Sequence, residues 1–150
     1  MIEEGVYQIK SLATNSVVHT FTEGENVFVA LIRRADPGSY GLWEVTSHPT
    51  SSNMRIFKNI GLQSPVSIGV QDAGVQTSGK TAPFSVLEAP TGSDDSQNQA
   101  FIIKHPDNGL VWTIPRLPFI RGHVHLRAES GAETQKWIFV KQELEDRKML

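Results

Sequence analysis

The segment Glu4-Gly5-Val6-Tyr7-Gln8-Ile9 contains a short pattern, an aromatic or methionine residue followed by any residue and then isoleucine, that occurs three times. The other two copies are Met54-Arg55-Ile56 and Phe101-Ile102-Ile103. Position 54 follows position 7 by 47 residues, and position 101 follows position 54 by the same 47 residues. Two equal intervals of this size indicate an internal repeat, which is typical of a fold built from similar units.

A second hydrophobic marker follows each copy at a similar distance. The three markers are Trp43-Glu44-Val45, Phe84-Ser85-Val86 and Trp137-Ile138-Phe139-Val140, which begin 36, 30 and 36 residues after the first markers. Each interval has room for four short strands, so the three copies give twelve. One such unit cannot bury its own apolar face, whereas three units around an axis share a core. The chain is therefore predicted to be all-β, a β-trefoil of twelve strands in three four-stranded repeats with pseudo-threefold symmetry.

Local patterning favours strands over helices. Alternating or β-branched segments are separated by turn-forming residues, and no internal segment keeps the spacing of a helix. The strand-like segments include residues 5–10, 27–31, 54–57 and 123–126. The one helical candidate is the tail at residues 142–148, whose mixture of charges also suits a frayed end.

The length of 150 residues indicates a single domain over residues 1–150, and the composition excludes several function classes. The chain has 14 Lys and Arg against 16 Asp and Glu, a formal charge of −2 and no cysteine. A near-neutral balance argues against a nucleic-acid partner, and the lack of cysteine removes disulfides, thiolate nucleophiles and cysteine-ligated zinc. No stretch approaches the roughly 20 apolar residues that span a bilayer. The acidic start Met1-Ile2-Glu3-Glu4-Gly5 lacks the apolar core of a secretory signal. We therefore expect a soluble, cytoplasmic protein with no membrane partner.

Several short motifs resemble those of a known group of proteins. The opening Glu4-Gly5-Val6-Tyr7-Gln8-Ile9 is similar to the Pro-Gly-x-Tyr-x-Ile start of the mushroom β-trefoils, and Gln135-Lys136-Trp137 matches the Gln-x-Trp signature of trefoil repeats. The first repeat has Gly41-Leu42-Trp43 in place of that signature, and the second has Ala82-Pro83-Phe84. Within the group, the chain most resembles the fungal serine protease inhibitors of the cospin and cnispin type. Such motifs specify architecture more closely than function.

The resemblance implies a monomeric inhibitor of trypsin-like serine proteases, with a role in defence, that acts through one exposed loop on a rigid barrel. A loop held in its bound shape loses little entropy on docking, so more of its contact energy remains as affinity. In the cospin-type inhibitors the resemblance places the reactive residue, an asparagine, in the loop between the second and third strands. Here that loop includes Glu23-Gly24-Glu25-Asn26-Val27, which makes Asn26 the residue that enters the S1 pocket.

Chemistry favours other residues for a trypsin target. The S1 pocket of trypsin holds a buried aspartate and prefers a basic residue, so Arg33 or Arg34 is an alternative reactive residue. Arg116 is a third candidate, because the prolines around it stiffen the backbone. Each candidate has a structural alternative: Asn26 in an ordinary hairpin turn, the arginine pair at a solvated strand end, and Arg116 on a segment folded onto the barrel. The loop used by cnispin-type inhibitors corresponds to residues 128–135, which contain no basic residue.

Two other binding functions remain as alternatives. The mushroom β-trefoils also include carbohydrate-binding lectins, and a sugar site combines an aromatic face with Asp or Asn side chains that satisfy hydroxyl groups. Asp107, Asn108 and Trp112 supply such a set in the third repeat, although Asn108-Gly109 also favours a hairpin turn. The other alternative is a cysteine protease inhibitor of the clitocypin type, in which Asn59 faces an asparagine-specific protease.

Enzymatic and metal-binding functions have little support in the sequence. No G-x-S-x-G, H-E-x-x-H or G-x-G-x-x-G motif occurs. His123 and His125 are two residues apart, so a strand would project both imidazoles from one face, but the nearest carboxylate in the sequence is Glu129 and no convincing third ligand is close. Solvent-facing strand histidines are the simpler interpretation. The sequence therefore predicts a binding protein with no enzymatic activity, metal or cofactor.

Overall fold

The computed structural model describes residues 2–30, 37–69, 73–78, 80–89, 99–116 and 121–142. These residues form twelve β-strands and two short 3-10 turns, at Gly38–Gly41 and Glu133–Gln135. The strands are β1 (Gly5–Ser11), β2 (Phe28–Ala30), β3 (Trp43–His48), β4 (Ser51–Asn59), β5 (Ser64–Ile68), β6 (Val75–Thr77), β7 (Phe84–Glu88), β8 (Ala100–Lys104), β9 (Val111–Thr113), β10 (Arg121–His123), β11 (His125–Arg127) and β12 (Trp137–Lys141). Residues 143–148 of the candidate tail helix lie outside the described residues. No helix within the described ranges has the length and apolar character needed to cross a membrane.

Six of the strands close into a barrel. In each repeat the first strand pairs antiparallel with the last strand of its own repeat and with the last strand of the preceding repeat. β1 thus pairs with β3 and β12, β4 with β7 and β3, and β8 with β12 and β7. Because the pairing returns to its start, these six strands leave no open edge.

The remaining strands form three hairpins that cap one end of the barrel around a pseudo-threefold axis. In the first hairpin the incoming strand is reduced to isolated bridges at Val17 and His19. The amide of Val27 donates to the carbonyl of Val75 at 2.8 Å, Val75 donates to Val124 at 2.9 Å, and Val124 donates back to Val27 at 2.9 Å. This closed ring of main-chain bonds, together with the barrel, confirms the predicted β-trefoil and its threefold repetition.

The residues on either side of the three valines repeat the same pairing. The residue before each valine pairs with the residue after the next: Asn26 with Gln76, Gly74 with His125, and His123 with Phe28. Fold-equivalent positions in the three hairpins can therefore be compared directly.

The core holds the large side chains of the second markers. Trp43, Phe84 and Trp137 are fully buried. The indole Nε1 of Trp43 donates to the carbonyl of Val18 at 2.9 Å, and that of Trp137 donates to the carbonyl of Trp112 at 3.1 Å. These bonds tie the end of a repeat to the incoming strand of its own hairpin.

In the second repeat, the structural equivalent of Tyr7 and Phe101 lies one residue later than the sequence pattern predicts. Tyr7 lies opposite Trp43 and Phe101 opposite Trp137, but the residue opposite Phe84 is Arg55, not Met54. Arg55 is buried, and main-chain carbonyls satisfy its guanidinium donors. Its Nε donates to the carbonyl of Ile2 at 2.9 Å and its Nη1 to that of Ser52 at 2.8 Å. The structural intervals are thus 48 and 46 residues, not two of 47.

Candidate functional site

The predicted reactive loop of the first hairpin is exposed and anchored. Residues 21–25 are exposed, whereas Val27 is fully buried. Gly24 has a φ of 89°, a conformation that glycine adopts without strain. Its amide donates to the carbonyl of Thr77 in the second repeat at 2.7 Å. The loop therefore presents Glu23 and Glu25 to solvent while its backbone is held against the neighbouring repeat.

Asn26 is half-buried, and both ends of its side-chain amide have partners in other repeats. Its Oδ1 accepts a hydrogen bond from Nε2 of Gln76 at 2.9 Å, and its Nδ2 lies 3.1 Å from Nε2 of His125. A Cβ added at Gly74 would come within 2.5 Å of the amide, so the side chain lies directly over that glycine. Asn26 thus joins the three hairpins, and its insertion into a protease stays a prediction that requires these contacts to be exchanged.

One of the alternative reactive residues, Arg116, lies on a different hairpin from Asn26. Arg116 is exposed and follows β9, so it belongs to the third hairpin, whereas Asn26 belongs to the first. Arg33 and Arg34 lie outside the described residues.

The set predicted for a sugar site in the third repeat does not form. Trp112 is fully buried, so its ring has no face to offer a ligand, because it occupies a core position of the cap. Asp107 and Asn108 belong to a turn in which Oδ1 of Asn108 accepts from the amide of Leu110 at 2.9 Å. Gly109 completes this turn with a φ of 73°. Asp107, Asn108 and Gly109 therefore form the turn that connects β8 and β9.

Asn59 is also unsuited to the role suggested for it, since it is fully buried. Its Nδ2 donates to the carbonyl of Tyr40 at 2.9 Å, and its Oδ1 accepts from the amide of Leu62 at 3.0 Å. The side chain therefore fastens the Gly38–Gly41 turn to the end of β4 and cannot face a protease.

One segment matches the sequence motif of a phosphate-binding loop, but its described residues do not have the structure of one. Residues 74–81 read Gly-Val-Gln-Thr-Ser-Gly-Lys-Thr, a spacing that marks such loops when a strand precedes them and a helix follows. Here the interior of the segment is itself strand β6, paired with β5, and the next described element is strand β7. The described residues of this segment therefore have the structure of a strand and not that of a phosphate-binding loop.

A cluster of aromatic rings lies beside the exposed loop. We call it the aromatic surface, and it comprises His19, Phe21, Phe28 and Tyr40. The ring centroid of Phe21 is 5.4 Å from that of Tyr40, 6.2 Å from that of Phe28 and 5.2 Å from that of His19. Phe21 is 51% exposed and Tyr40 36%, whereas His19 and Phe28 are buried. The cluster thus offers two partly solvated rings on a buried aromatic support.

Tyr40 is held in place by its neighbours. Its carbonyl accepts hydrogen bonds from the amide of Thr20 at 3.3 Å and from Nδ2 of Asn59 at 2.9 Å. Its ring lies against Gly61, where an added Cβ would come within 2.5 Å of Cδ1. The orientation of this half of the aromatic surface is therefore fixed before any ligand binds.

Two nitrogen-bearing side chains from β10 border the aromatic surface. The guanidinium carbon of Arg121 is 4.2 Å from the ring centroid of Phe28, a cation–π contact, and the ring of His123 is 5.9 Å from it. Burial lowers the pKa of His123, and the charges of Arg121 and His125 lower it further, while Glu25 opposes the shift. His123 is therefore neutral at neutral pH.

A pocket of about 280 Å³ lies on the third repeat. It is lined by Thr113, Ile114 and Pro115 at the end of β9 and by His125 and Arg127 of β11. The volume is slightly below the range of about 300–1,000 Å³ for sites that hold drug-sized ligands.

The histidine pair has no metal-site geometry around it. Among the residues that the structure describes, no group of three or more His, Asp or Glu side chains could hold a metal ion. His125 contacts the amide of Asn26, and His123 contacts the ring of Phe28.

The sequence patterns did not indicate the aromatic surface or the pocket. Phe21 lies in a short polar loop and Tyr40 in a turn, where no periodicity marks a side chain as exposed or buried. The alternation of Arg121, His123, His125 and Arg127 with Gly122, Val124 and Leu126 is the signal that could have pointed to one outward face.

Comparison with known proteins gives structural likeness without close sequence relatives. No protein-family model matches the chain, and no curated protein matches its sequence. The Rhizoctonia solani agglutinin has a TM-score of 0.76 at 18% identity over 95% of this chain and 98% of its own. The Macrolepiota procera ricin B-like lectin, solved in complex with lactose, has 0.73 at 13% identity over 95% and 99%. The designed threefold-symmetric protein ThreeFoil has 0.74 at 11% identity over 93% and 100%. At such identities the likeness shows the fold alone: the chain is a β-trefoil.

Proposed function

We propose that this protein binds carbohydrate and that the aromatic surface is its sugar-binding site. The observation that carries the proposal is the partly solvated, adjacent pair of Phe21 and Tyr40 rings in a chain whose three tryptophans are all fully buried. A pyranose ring is apolar on one face and polar at its edge, so it stacks on an aromatic ring and needs polar partners around it.

Polar groups are present at the border of the aromatic surface. Arg121 and His123 both contact Phe28, and the carboxylate of Glu25 lies close enough to His123 to affect its pKa. Together with the hydroxyl of Tyr40, these side chains supply both donors and acceptors for sugar hydroxyls.

The structural neighbours agree with this class of function. One is an agglutinin, and another is a lectin whose structure contains lactose. Their sugar specificity is not transferred to this chain, because the residues of the aromatic surface are its own. The lectin alternative therefore has more support than protease inhibition.

The test is a panel of immobilised oligosaccharides screened with the wild-type protein and with Phe21→Ala. We expect Phe21→Ala to weaken sugar binding tenfold or more, about 1.4 kcal/mol, and Phe21→Trp to retain it because a ring remains. Leu87→Ala is the matched control, since Leu87 is 45% exposed on β7 and lies outside the aromatic surface. Absence of binding across the panel, or equal binding by wild type and Phe21→Ala, would contradict the proposal.

The exposed and anchored loop supports a second candidate function, serine protease inhibition. Residues 21–25 are exposed, and the bond from Gly24 to Thr77 restrains the loop backbone. A restrained loop loses little conformational entropy when a protease binds it.

Titration against trypsin, chymotrypsin, subtilisin and papain tests this second candidate. Stoichiometric inhibition of trypsin that is lost in Asn26→Ala but kept in Arg34→Ala would support the loop as the reactive segment. Loss in Arg34→Ala with retention in Asn26→Ala would assign the activity to the basic residue, and no inhibition of any protease would remove the candidate.

A further inference from the structure

Gly61 is a glycine that the backbone of its own turn does not require. It lies in the turn of residues 60–63, which connects β4 and β5. The residue of this turn in the left-handed region is Gln63, with a φ of 54°, whereas the φ of Gly61 lies outside that region. Residues with a side chain adopt such a conformation without strain. The role of this glycine therefore lies in the space that its missing side chain leaves open.

The ring of Tyr40 occupies that space. A Cβ added at Gly61 would lie 2.5 Å from Cδ1 of the ring, 2.8 Å from Cγ and 2.9 Å from Cε1. All three distances are shorter than the contacts that real Cβ atoms make, so something would have to shift. The phenol ring is rigid and moves only by rotation about its two side-chain bonds. A side chain at position 61 and the present position of the Tyr40 ring are therefore incompatible.

Hydrogen bonds hold the backbone on both sides of this contact. The amide of Gly61 donates to the carbonyl of Ser39 at 2.9 Å, which ties the turn to the residue before Tyr40. The carbonyl of Tyr40 accepts from Nδ2 of the fully buried Asn59 at 2.9 Å. Because these bonds keep the two backbones together, a side chain at position 61 would chiefly displace the Tyr40 ring.

The ring that this contact positions belongs to the aromatic surface and is partly solvated. Tyr40 is 36% exposed and its neighbour Phe21 is 51% exposed. Their centroids are 5.4 Å apart, and the two ring planes are inclined at 59°. A sugar ring stacked on one of them therefore has its edge toward the other. Contact of one sugar with both rings thus depends on the angle between them.

We propose that Gly61 is a positioning residue of the sugar-binding site. The absence of a side chain at this position lets the Tyr40 ring keep the inclination to Phe21 at which both rings contact one sugar ring. Gly61 acts through Tyr40 and does not itself touch the sugar. The proposal rests on the proposed carbohydrate-binding function and adds a residue that determines its affinity.

Titration with four disaccharides tests the proposal. The probes are lactose, cellobiose, chitobiose and mannobiose, and the one that wild type binds most tightly is used to compare the variants. We expect Gly61→Ala to weaken its binding tenfold or more, about 1.4 kcal/mol, as Tyr40→Ala does. In a Tyr40→Ala background the ring is gone, so Gly61→Ala should have no further effect on affinity.

Gly69→Ala is the matched control for crowding. A Cβ added at Gly69 would lie 2.6 Å from Nε2 of Gln76, in the second hairpin and outside the aromatic surface. This variant should keep the disaccharide affinity within about twofold of wild type. Urea unfolding of every variant measures stability separately, and affinities are compared under conditions in which each variant is folded. A purely structural role of Gly61 would lower stability and leave affinity unchanged.

A measurement on the wild type keeps the proposal testable if Gly61→Ala does not fold. Nuclear Overhauser effects between the Tyr40 ring and the α-protons of Gly61 report their contact. We expect these effects in the free protein and in the disaccharide complex, because the ring is already in its binding position. Their loss on addition of the disaccharide would show that the bound position of the ring is a different one, and would overturn the inference.

The other contrary results separate this inference from the function on which it rests. Equal affinity of wild type and Gly61→Ala, with binding still weakened in Phe21→Ala, would reject the role of Gly61 while the carbohydrate-binding function stands. A loss in Gly69→Ala as large as that in Gly61→Ala would assign the effect to the fold in general and would also reject it. No binding of any disaccharide by the wild type would reject both.

Discussion

Nδ2 of Asn26 lies 3.1 Å from Nε2 of His125, and the two residues are separated by 99 positions in the chain. Because the amide nitrogen of asparagine can only donate, the imidazole nitrogen accepts this bond. The Oδ1 of the same side chain accepts from Gln76, so one amide connects the first hairpin to both others. The side chain of Asn26 therefore links all three hairpins of the cap.

Replacement of Asn26 by alanine should therefore destabilise the protein. The change removes two side-chain hydrogen bonds in a half-buried position, and we expect a loss of about 1–2 kcal/mol in the free energy of unfolding. Urea unfolding followed by tryptophan fluorescence measures it. Glu25→Ala, one residue earlier and exposed, is the control and should change stability by less than about 0.5 kcal/mol. Equal effects of the two variants would mean that the amide links contribute little.

Gly74→Ala should be destabilising through the same side chain. The new Cβ would meet the Asn26 amide at 2.5 Å, so either the amide or the backbone must shift. We expect a cost of about 1–3 kcal/mol, as for other overpacked sites. In an Asn26→Ala background the obstacle is gone, and the same glycine substitution should cost clearly less, which a double-mutant cycle measures. Additive effects would show that the strain arises elsewhere.

Thr77→Val should stabilise the protein. The Oγ1 of Thr77 is buried and finds no hydrogen-bond partner within the described residues. Its equivalents in the other hairpins, Val29 and Leu126, are apolar. Removal of an unsatisfied hydroxyl at nearly constant volume should raise the free energy of unfolding by about 1 kcal/mol. Val29→Thr, the reverse change at the equivalent site, should lower it. Destabilisation by Thr77→Val would indicate a buried water on the hydroxyl.

Acidification should destabilise the unliganded protein through His123. Its pKa in the folded state is lower than in the unfolded chain, so the unfolded state takes up the proton first as the pH falls. The favourable contribution of neutral His123 is present above the unfolded pKa of about 6.5 and is lost as the pH falls through the folded pKa. Thermal unfolding of wild type and His123→Gln at several pH values tests this. The unfolding midpoint of the wild type should decrease more steeply below about pH 6.5, and parallel curves would show that another group is responsible.

The fold was predictable because similar types of residue recur at similar intervals in the three repeats. Trp43, Phe84 and Trp137 take equivalent positions at the ends of their repeats, and all three are buried. The exact register was not predictable, since Arg55 occupies a position that Tyr7 and Phe101 fill with rings. An arginine can do so only because main-chain carbonyls of distant and local residues accept its donors, and a sequence does not show which carbonyls will be there.

The candidate sites were harder to predict because exposure depends on tertiary packing. Trp112 was a reasonable sugar-stacking residue beside Asp107 and Asn108, but the cap places its ring in the core. Phe21 gave no signal, yet it is the most exposed large hydrophobic side chain of the described residues. The protease-inhibitor interpretation of Asn26 remains a prediction. The sequence places this residue in the expected loop, but it does not reveal that the side-chain amide contacts the two other hairpins.

The ring of Val27, Val75 and Val124 is made by main-chain atoms only, so it places no demand on the neighbouring side chains. The residues on either side of the three valines can therefore differ between the repeats without breaking the symmetry of the scaffold. In this chain that freedom has produced an amide, a bare backbone and an imidazole on the near side of the valines, and a phenyl ring, a second amide and another imidazole on the far side. A symmetric backbone here carries an asymmetric set of side chains.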